Sequence, residues 1–370
     1  MPRITSLNIL LEAEGKDYLS ELYSAVIQNV MKSLVSVGLK NENLSGDPTS
    51  GSVEAKRFAN ATPKRYGTAR AAGKGDAVIA KPVTVVIDQD QEIIEEIEEK
   101  DVRLYGVDGL LDRRAQNHVL RMAAELDTAF FTAAYNDSTD VVINESDPIE
   151  DQLEDIIQAC ENTKNNFVDG VPRAMMHLIC STKVYGAIRK ELDKRSNPNV
   201  DTTAEEFYTW HGVEVKSCVH LPAGCRFLLM VTGSVAQPVM TNQYTAEKVN
   251  LSEAYAVELF YHYGTKVVTP DLIFKPVAAN AKLSALTIGS LTLSPPFDAD
   301  TTAYTASTTN ATNTVTATAA DSGATIAIKN GETTVTNGGS ATWSDGNNTL
   351  TATVTNGTAT KTYTVTVTKS

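Results

Sequence analysis

His211, Cys218, His220 and Cys225 lie within one short stretch and are of the types that bind zinc through imidazole and thiolate. Their spacing fits no standard finger, and Cys and His beside a short hairpin are more often core packing than ligands. Gly73-Lys74-Gly75 sets a lysine between glycines. A phosphate loop needs a longer glycine spacing and a Ser or Thr after the lysine, so this reads as a loop tip. Gly233-Ser234 lacks the second half of a nucleophile elbow. The carboxylates from Asp88 to Asp101 lack the alternation and glycine of a calcium loop, and Asp298-x-Asp300 is a lone pair where such sites need several. No nucleophile–base set stands out. The expectation is a chain that is not an enzyme, with no catalytic, cofactor or metal residues.

What the charged residues do offer is contact. Lys56, Arg57, Lys64, Arg65, Arg70, Lys74 and Lys81 are spread through a stretch rich in Gly, Ser, Pro, Asn and Ala, from Asn41 to Lys81. An acidic run follows at once: Asp88, Asp90, Glu92, Glu95, Glu96, Glu98, Glu99 and Asp101. A structureless run of that length is unusual inside a compact domain. An extended β-hairpin reaching away from the body fits better, with strands at Val53 to Phe58 and Pro82 to Ile87. The expected subunit interface pairs Lys56, Arg57, Lys64, Arg65, Arg70 and Lys74 of one copy with Glu95, Glu96, Glu98 and Glu99 of another. The plainer alternative is two solvated surfaces.

At 370 residues the chain suits two or three domains. Its net charge of −13 argues against a nucleic-acid grip, which needs a basic surface. The N-terminus lacks the basic start and apolar core of a signal peptide. The longest purely apolar run, Phe227 to Val231, is too short to span a bilayer. With no secretion signal, Cys160, Cys180, Cys218 and Cys225 are expected to be free thiols in a protein that folds in a cytoplasm.

Hydrophobic spacing places the elements that carry these residues. Leu19, Leu22, Val26, Val30 and Leu34 predict an amphipathic helix over 16–38, either a core helix or an arm docking on a neighbour. Leu111, Ala115, Val119, Met122, Leu126 and Phe130 predict a long helix over 108–135, with Asp108 as its N-cap. At ~1.5 Å per residue it would be about 40 Å long, a structural spine. Asp147-Pro148 opens a third helix. A buried strand at Ala174 to Cys180, a helix to Glu191, a hairpin or meander over 207–219 around His211-Gly212 and a strand at Arg226 to Val231 follow. Strands at Tyr255 to Tyr263 and Lys266 to Thr269 come last, with Pro270 closing the body.

From Leu283 the composition changes. Thr dominates, Arg is absent, and apolar residues alternate with polar ones. That is a β-sandwich pattern, with Leu286, Leu291, Leu293, Phe297, Tyr304, Val315, Leu350, Val354, Tyr363, Val365 and Val367 expected inside and β-branched Thr facing water. Asn330-Gly331, Asn337-Gly338 and Asn356-Gly357 are expected at short hairpins.

The order of these parts resembles the Hong Kong 97-type major capsid protein of tailed bacteriophages. The segment Lys81 to Phe131, running from the loop's return strand into the spine helix and ending in a turn of the Glu125-Leu126-Asp127 type, carries most of the likeness. The tail resembles a bacterial cadherin-like or immunoglobulin-like sandwich. The resemblance implies an α+β fold: an N-terminal arm (1–49), an extended β-hairpin loop (50–90), a peripheral domain with the spine helix (91–147), a central axial α/β domain (148–240), returning peripheral strands (241–277), and a surface-displayed sandwich (278–370) joined through Pro276 to Lys282. It implies a coat protein that assembles with itself, as hexamers and pentamers, into an icosahedral virion head made in a bacterial host's cytoplasm. That head would enclose double-stranded DNA without reading sequence. A separate scaffolding protein and a portal are implied partners, because the arm begins almost at Met1. A glycan or cell-surface ligand is implied for the sandwich, and no membrane. An encapsulin-like compartment shell and a secreted adhesin are the alternatives.

Overall fold

The computed structural model describes residues 6–103, 105–194, 208–242 and 244–370. The chain forms two compact units, Met1–Thr139 with Ile156–Lys275, and Asp140–Asp155 with Pro276–Ser370. Residue 207, the expected start of the His211-Gly212 hairpin, lies outside the described residues.

In the first unit the N-terminal helix is Ala13–Ser33. Its buried stripe of Tyr18, Leu19, Leu22, Val26 and Val30 shares one core with Leu111, Ala115, Val119, Met122 and Leu126. Each such side chain contributes about 1.5–3 kcal/mol by leaving water. The hydroxyl of Tyr18 donates to Asp112 Oδ1 at 3.2 Å. This segment is therefore a core helix of its own chain.

The spine helix runs Gly106–Asn136, about 46 Å at ~1.5 Å per residue. It starts two residues before Asp108, with Tyr105 at the cap position. Asp108 instead sits in the first turn, where a carboxylate suits the helix dipole. The expected turn at Glu125-Leu126-Asp127 is also corrected, because all three residues are helical. Their groups tie other segments down. Buried Asp127 accepts the backbone N–H groups of Val35 and Ser36 at 2.9 and 3.0 Å. The Leu126 carbonyl accepts Gln237 Nε2 at 2.9 Å, and Glu125 accepts the Tyr263 hydroxyl at 2.8 Å.

One face of the spine covers a sheet in which strand Tyr255–Tyr263 pairs along its whole length with the acidic strand Gln89–Ile97. The central sheet of this unit runs from the start of strand Ile273–Ala278 (residues 273–275) through Phe227–Val231, Met176–Cys180 and Val213–Ser217 to Thr209–Trp210. His211 and Gly212 have φ of 47° and 88°, the left-handed pair that a two-residue hairpin needs. Pro270 does not close the body. It opens a single 3-10 turn, and strand Ile273–Ala278 follows. Pro276 is thus within a strand, which shortens the expected linker.

In the second unit, strands Leu283–Ile288, Thr312–Ala319 and Ser340–Thr342 form one sheet of the sandwich. Ala303–Thr308, Ala359–Lys369, Gly346–Asn356, Thr325–Asn330 and Thr333–Val335 form the other. Leu286, Leu293, Tyr304, Val315, Leu350, Val354, Tyr363, Val365 and Val367 are buried as the alternation requires, and Leu291 and Phe297 pack partly buried against them. Asn330-Gly331 and Asn356-Gly357 turn hairpins. Asn337-Gly338 does not, because the strands flanking it pair in different sheets. The Asn337 side chain accepts the Ala317 N–H and donates to the Ala317 carbonyl, at 2.9 and 2.7 Å, replacing a missing strand partner.

Candidate functional site: the hairpin and the acidic strand

Strands Ser52–Phe58 and Ala80–Val86 pair antiparallel, with Phe58 opposite Ala80. Only their root is packed: Val53, Ala55 and Val85 are buried with Ala236 and Val268. Beyond it, residues 60–82 are exposed throughout. Gly67 and Gly73, left-handed at φ of 91° and 70°, bracket the short helix Thr68–Ala72 within this stretch. Lys64 and Asp76 pair at 2.5 Å across it. Large apolar side chains stand in water here, with Tyr66 98%, Val78 82%, Ile79 64% and Phe58 56% exposed. Together they make this projection the candidate contact surface.

The ten charged candidates separate into two groups. Lys56, Lys64, Arg65, Arg70, Lys74, Glu96, Glu98 and Glu99 are exposed. Lys56 lies 3.9 Å from Glu54, with both about half in water, a pairing of little energetic value. Glu98 caps the short helix Glu99–Val102 and pairs with Lys100 at 2.6 Å. Arg57 and Glu95 are engaged inside their own chain. Arg57 Nη1 donates to Asp271 Oδ1 at 2.6 Å, and Nη2 donates to Oδ2. Burial would raise the Asp271 carboxyl, but hydrogen bonds from Arg57 and Asn165 hold it below its ordinary value.

Glu95 faces the spine helix, where Arg114 Nε donates to its two oxygens at 2.9 and 2.8 Å. His118 Nε2 lies 3.1 Å from Glu95 Oε2, within ion-pair range but poorly aligned for a hydrogen bond. His118 Nδ1 bonds the Tyr244 hydroxyl at 2.6 Å. The Arg114 hydrogen bond holds the Glu95 carboxyl below its usual range against the effect of burial. Burial lowers the His118 pKa, and the nearby carboxylate only partly offsets this. The acidic strand is therefore pinned to the spine through Glu95 and presents Glu96 on its outer face.

Sequence reasoning missed the apolar members of this surface. Their only signal was Val78-Ile79 inside a polar, Gly- and Lys-rich stretch. The other candidates for chemistry fall into packing roles. Burial pushes the Cys218 and Cys225 thiols up to about 11 and about 12, and His211 stacks on Trp210 with ring centroids 4.5 Å apart. Cys160 and Cys180 are likewise buried free thiols. In the sandwich, Asp300 is bound by Lys282 at 2.5 Å and Lys361 at 3.5 Å, so two ammonium groups already neutralise the Asp298-x-Asp300 loop. Among the described residues, no helix is long and apolar enough to cross a membrane.

Residues 283–370 match the family model of the cadherin-like beta sandwich domain. The chain is similar to the capsid structure of the cyanophage P-SCSP1u, with 13% identity and a TM-score of 0.50, over 67% of this chain and 88% of that one. It also resembles a structure from Mycobacterium phage Che8, with 18% identity and a TM-score of 0.48, over 61% of this chain and 84% of that one. A third likeness is to an encapsulin complex from Synechococcus elongatus, with 14% identity and a TM-score of 0.41, over 54% and 76%. No curated protein sequence matches. The body has the α+β Hong Kong 97-type capsid fold, an assignment that rests on the cyanophage capsid, and it is followed by a cadherin-like β-sandwich.

Proposed function

We propose that this chain is a major capsid protein that closes an icosahedral phage head around double-stranded DNA. The observation that carries the reading is the hairpin. A capsid-type body extends an arm whose residues 60–82 are exposed and whose apolar side chains have nothing to pack on within the chain. Obligate interfaces commonly exceed ~2,000 Å², and a projection of this kind supplies such area by lying across a neighbour. The exposed cations of the hairpin and the outer carboxylates of the acidic strand, Glu96, Glu98 and Glu99, would set register by charge complementarity. Many modest interfaces then sum by mass action to a closed shell. DNA would be enclosed without sequence reading, since an acidic chain offers no grip on bases.

On this reading the peripheral, axial and hairpin parts keep the boundaries expected from the resemblance, and hexamers and pentamers form with a separate scaffolding protein and a portal. The sandwich is an outward decoration, dispensable for closure. Its surface supports a display role, because no large apolar side chain of residues 283–370 stands exposed.

Negative-stain microscopy of the protein expressed alone and with a scaffolding protein tests this. Uniform closed shells are expected, with knobs that disappear when residues 283–370 are deleted. Single particles under every condition would overturn the reading. Shells filled with copurified enzyme, with no scaffold, portal or DNA, would favour the encapsulin-like compartment.

A further inference from the structure

We infer that the hairpin is aimed before any neighbour arrives, by a clamp at its root in which Arg57 is a positioning residue. The inference rests on the shell reading above for its biological use, but its geometry belongs to the single chain.

The exposed part of the hairpin is a lever. At ~3.3 Å per residue its end lies up to about 30 Å beyond the root, and a tilt of about 10° there moves it by about 5 Å. That is enough to miss a target on an adjacent subunit. No packing along residues 61–82 can correct the direction, because all of them are exposed. Direction must be set at the root, and both strands are gripped there.

The outgoing strand is held by Arg57. Its guanidinium binds Asp271 through both terminal nitrogens and lies over the Phe167 ring, 4.5 Å from the centroid. Asn165 Nδ2 donates to the same Asp271 at 2.5 Å. Three residues on, the Asn60 N–H donates to the Asn166 carbonyl at 2.8 Å. The Arg57 and Asp271 side chains are only 12% and 27% exposed, so water screens the pair poorly. A planar fork on a carboxylate fixes orientation as well as distance, which a single lysine contact would not do.

The returning strand is held by close backbone approach. A Cβ added to Gly264 would sit 1.9 Å from the Val86 carbonyl oxygen. Only glycine lets that turn lie against the strand, and Gly264 N–H donates to the Pro238 carbonyl at 3.2 Å. The two contacts grip opposite strands of one ladder, so together they oppose tilt. An arm fixed in advance loses less entropy on docking than one that orders on contact.

The test is hydrogen exchange on the unassembled full-length chain, read at amides 52–58 and 80–86, together with shell yield. Arg57→Ala is expected to speed exchange at these amides by about tenfold, as loss of a charged, poorly screened bond allows, while amides 106–136 stay protected. Shell yield should fall with it. The charge swap Arg57→Asp with Asp271→Arg should recover both, and Gly264→Ala should loosen the same amides from the other strand. Unchanged root exchange in Arg57→Ala, with or without lost shells, would overturn the clamp, and lost shells alone would make Arg57 a direct contact with the neighbour. If the wild-type chain forms no shell at all, the functional reading fails, and the exchange measurement still decides the clamp.

Discussion

The sandwich and the hairpin use similar local β geometry to opposite ends. Strand Ala359–Lys369 alternates buried Tyr363, Val365 and Val367 with outward Thr, and a second sheet covers every apolar side chain. Its interior polar groups are also answered: Trp343 Nε1 donates to buried Asn313 Oδ1 at 2.9 Å. The hairpin has the same ladder but no second layer, and it leaves Phe58, Tyr66, Val78 and Ile79 in water. The first region is complete as a single copy. The second leaves apolar side chains uncovered, and on the function proposed above this difference separates an assembling part from a displayed one.

Deletion breaks the comparison most directly. Replacing residues 60–79 by a short Gly-Ser turn should abolish shell formation while leaving the spine-helix core folded, as circular dichroism would show. Removing residues 283–370 should leave shells closed. Equal outcomes for the two deletions would erase the distinction.

Core truncation comes next in size. Tyr363→Ala empties a fully buried aromatic site and should cost about 3–5 kcal/mol of sandwich stability. The chain carries two tryptophans, Trp210 in the body and Trp343 in the sandwich. Fluorescence of Trp210→Phe and Trp343→Phe backgrounds therefore reports each region separately in urea. The Trp343 transition should move and the Trp210 transition should not.

On the hairpin, Tyr66→Ser should change the unfolding free energy of the unassembled chain by less than about 0.5 kcal/mol, since the ring touches nothing that folding buries. Assembly should nonetheless weaken, and light scattering of the assembly reaction would show it.

The smallest expected effect is a dependence on pH. Burial lowers the His118 pKa from its ordinary 6.5, so the unfolded chain binds the extra proton first. Body stability should fall as pH drops below 6.5 and stop falling once the folded-state pKa is passed. Glu95 is held below its ordinary 4.5 by Arg114, so its contribution is present above 4.5 and is lost as pH falls through its folded-state value. The groups facing His118 are Glu95, Arg114 and Tyr244. His118→Gln should reduce the slope of the Trp210 midpoint between pH 8 and pH 5.5, and His177, whose pKa burial also lowers, accounts for the slope that stays. The sandwich contains no histidine, so its Trp343 midpoint should already be flat across that range.

Much of the fold was legible because it follows from spacing. The spine stripe from Leu111 to Phe130, the paired hairpin strands and the Thr-alternating sandwich each depend on a period that residues reveal one by one. The candidate site was legible only as charge. Counting cations and carboxylates could not show that Arg57 turns onto Asp271, 214 residues away along the chain, or that Glu95 turns onto Arg114. A charge in sequence has no direction, and which strand face it occupies depends on register. The apolar part was missed because Phe58, Tyr66 and the Val78-Ile79 pair make no periodic signal.

By itself the sequence determined the order of elements, the change of chemistry at Leu283 and which faces of the long helices are apolar, because these depend on local dihedral periods and side-chain type. Tertiary structure alone decided that the N-terminal helix packs on its own spine, that Glu125-Leu126-Asp127 is helix, that Pro276 lies within a strand, and which of the candidate charges turn inward. Those outcomes depend on contacts between residues far apart in the chain, whose free energy exists only once the chain has closed on itself.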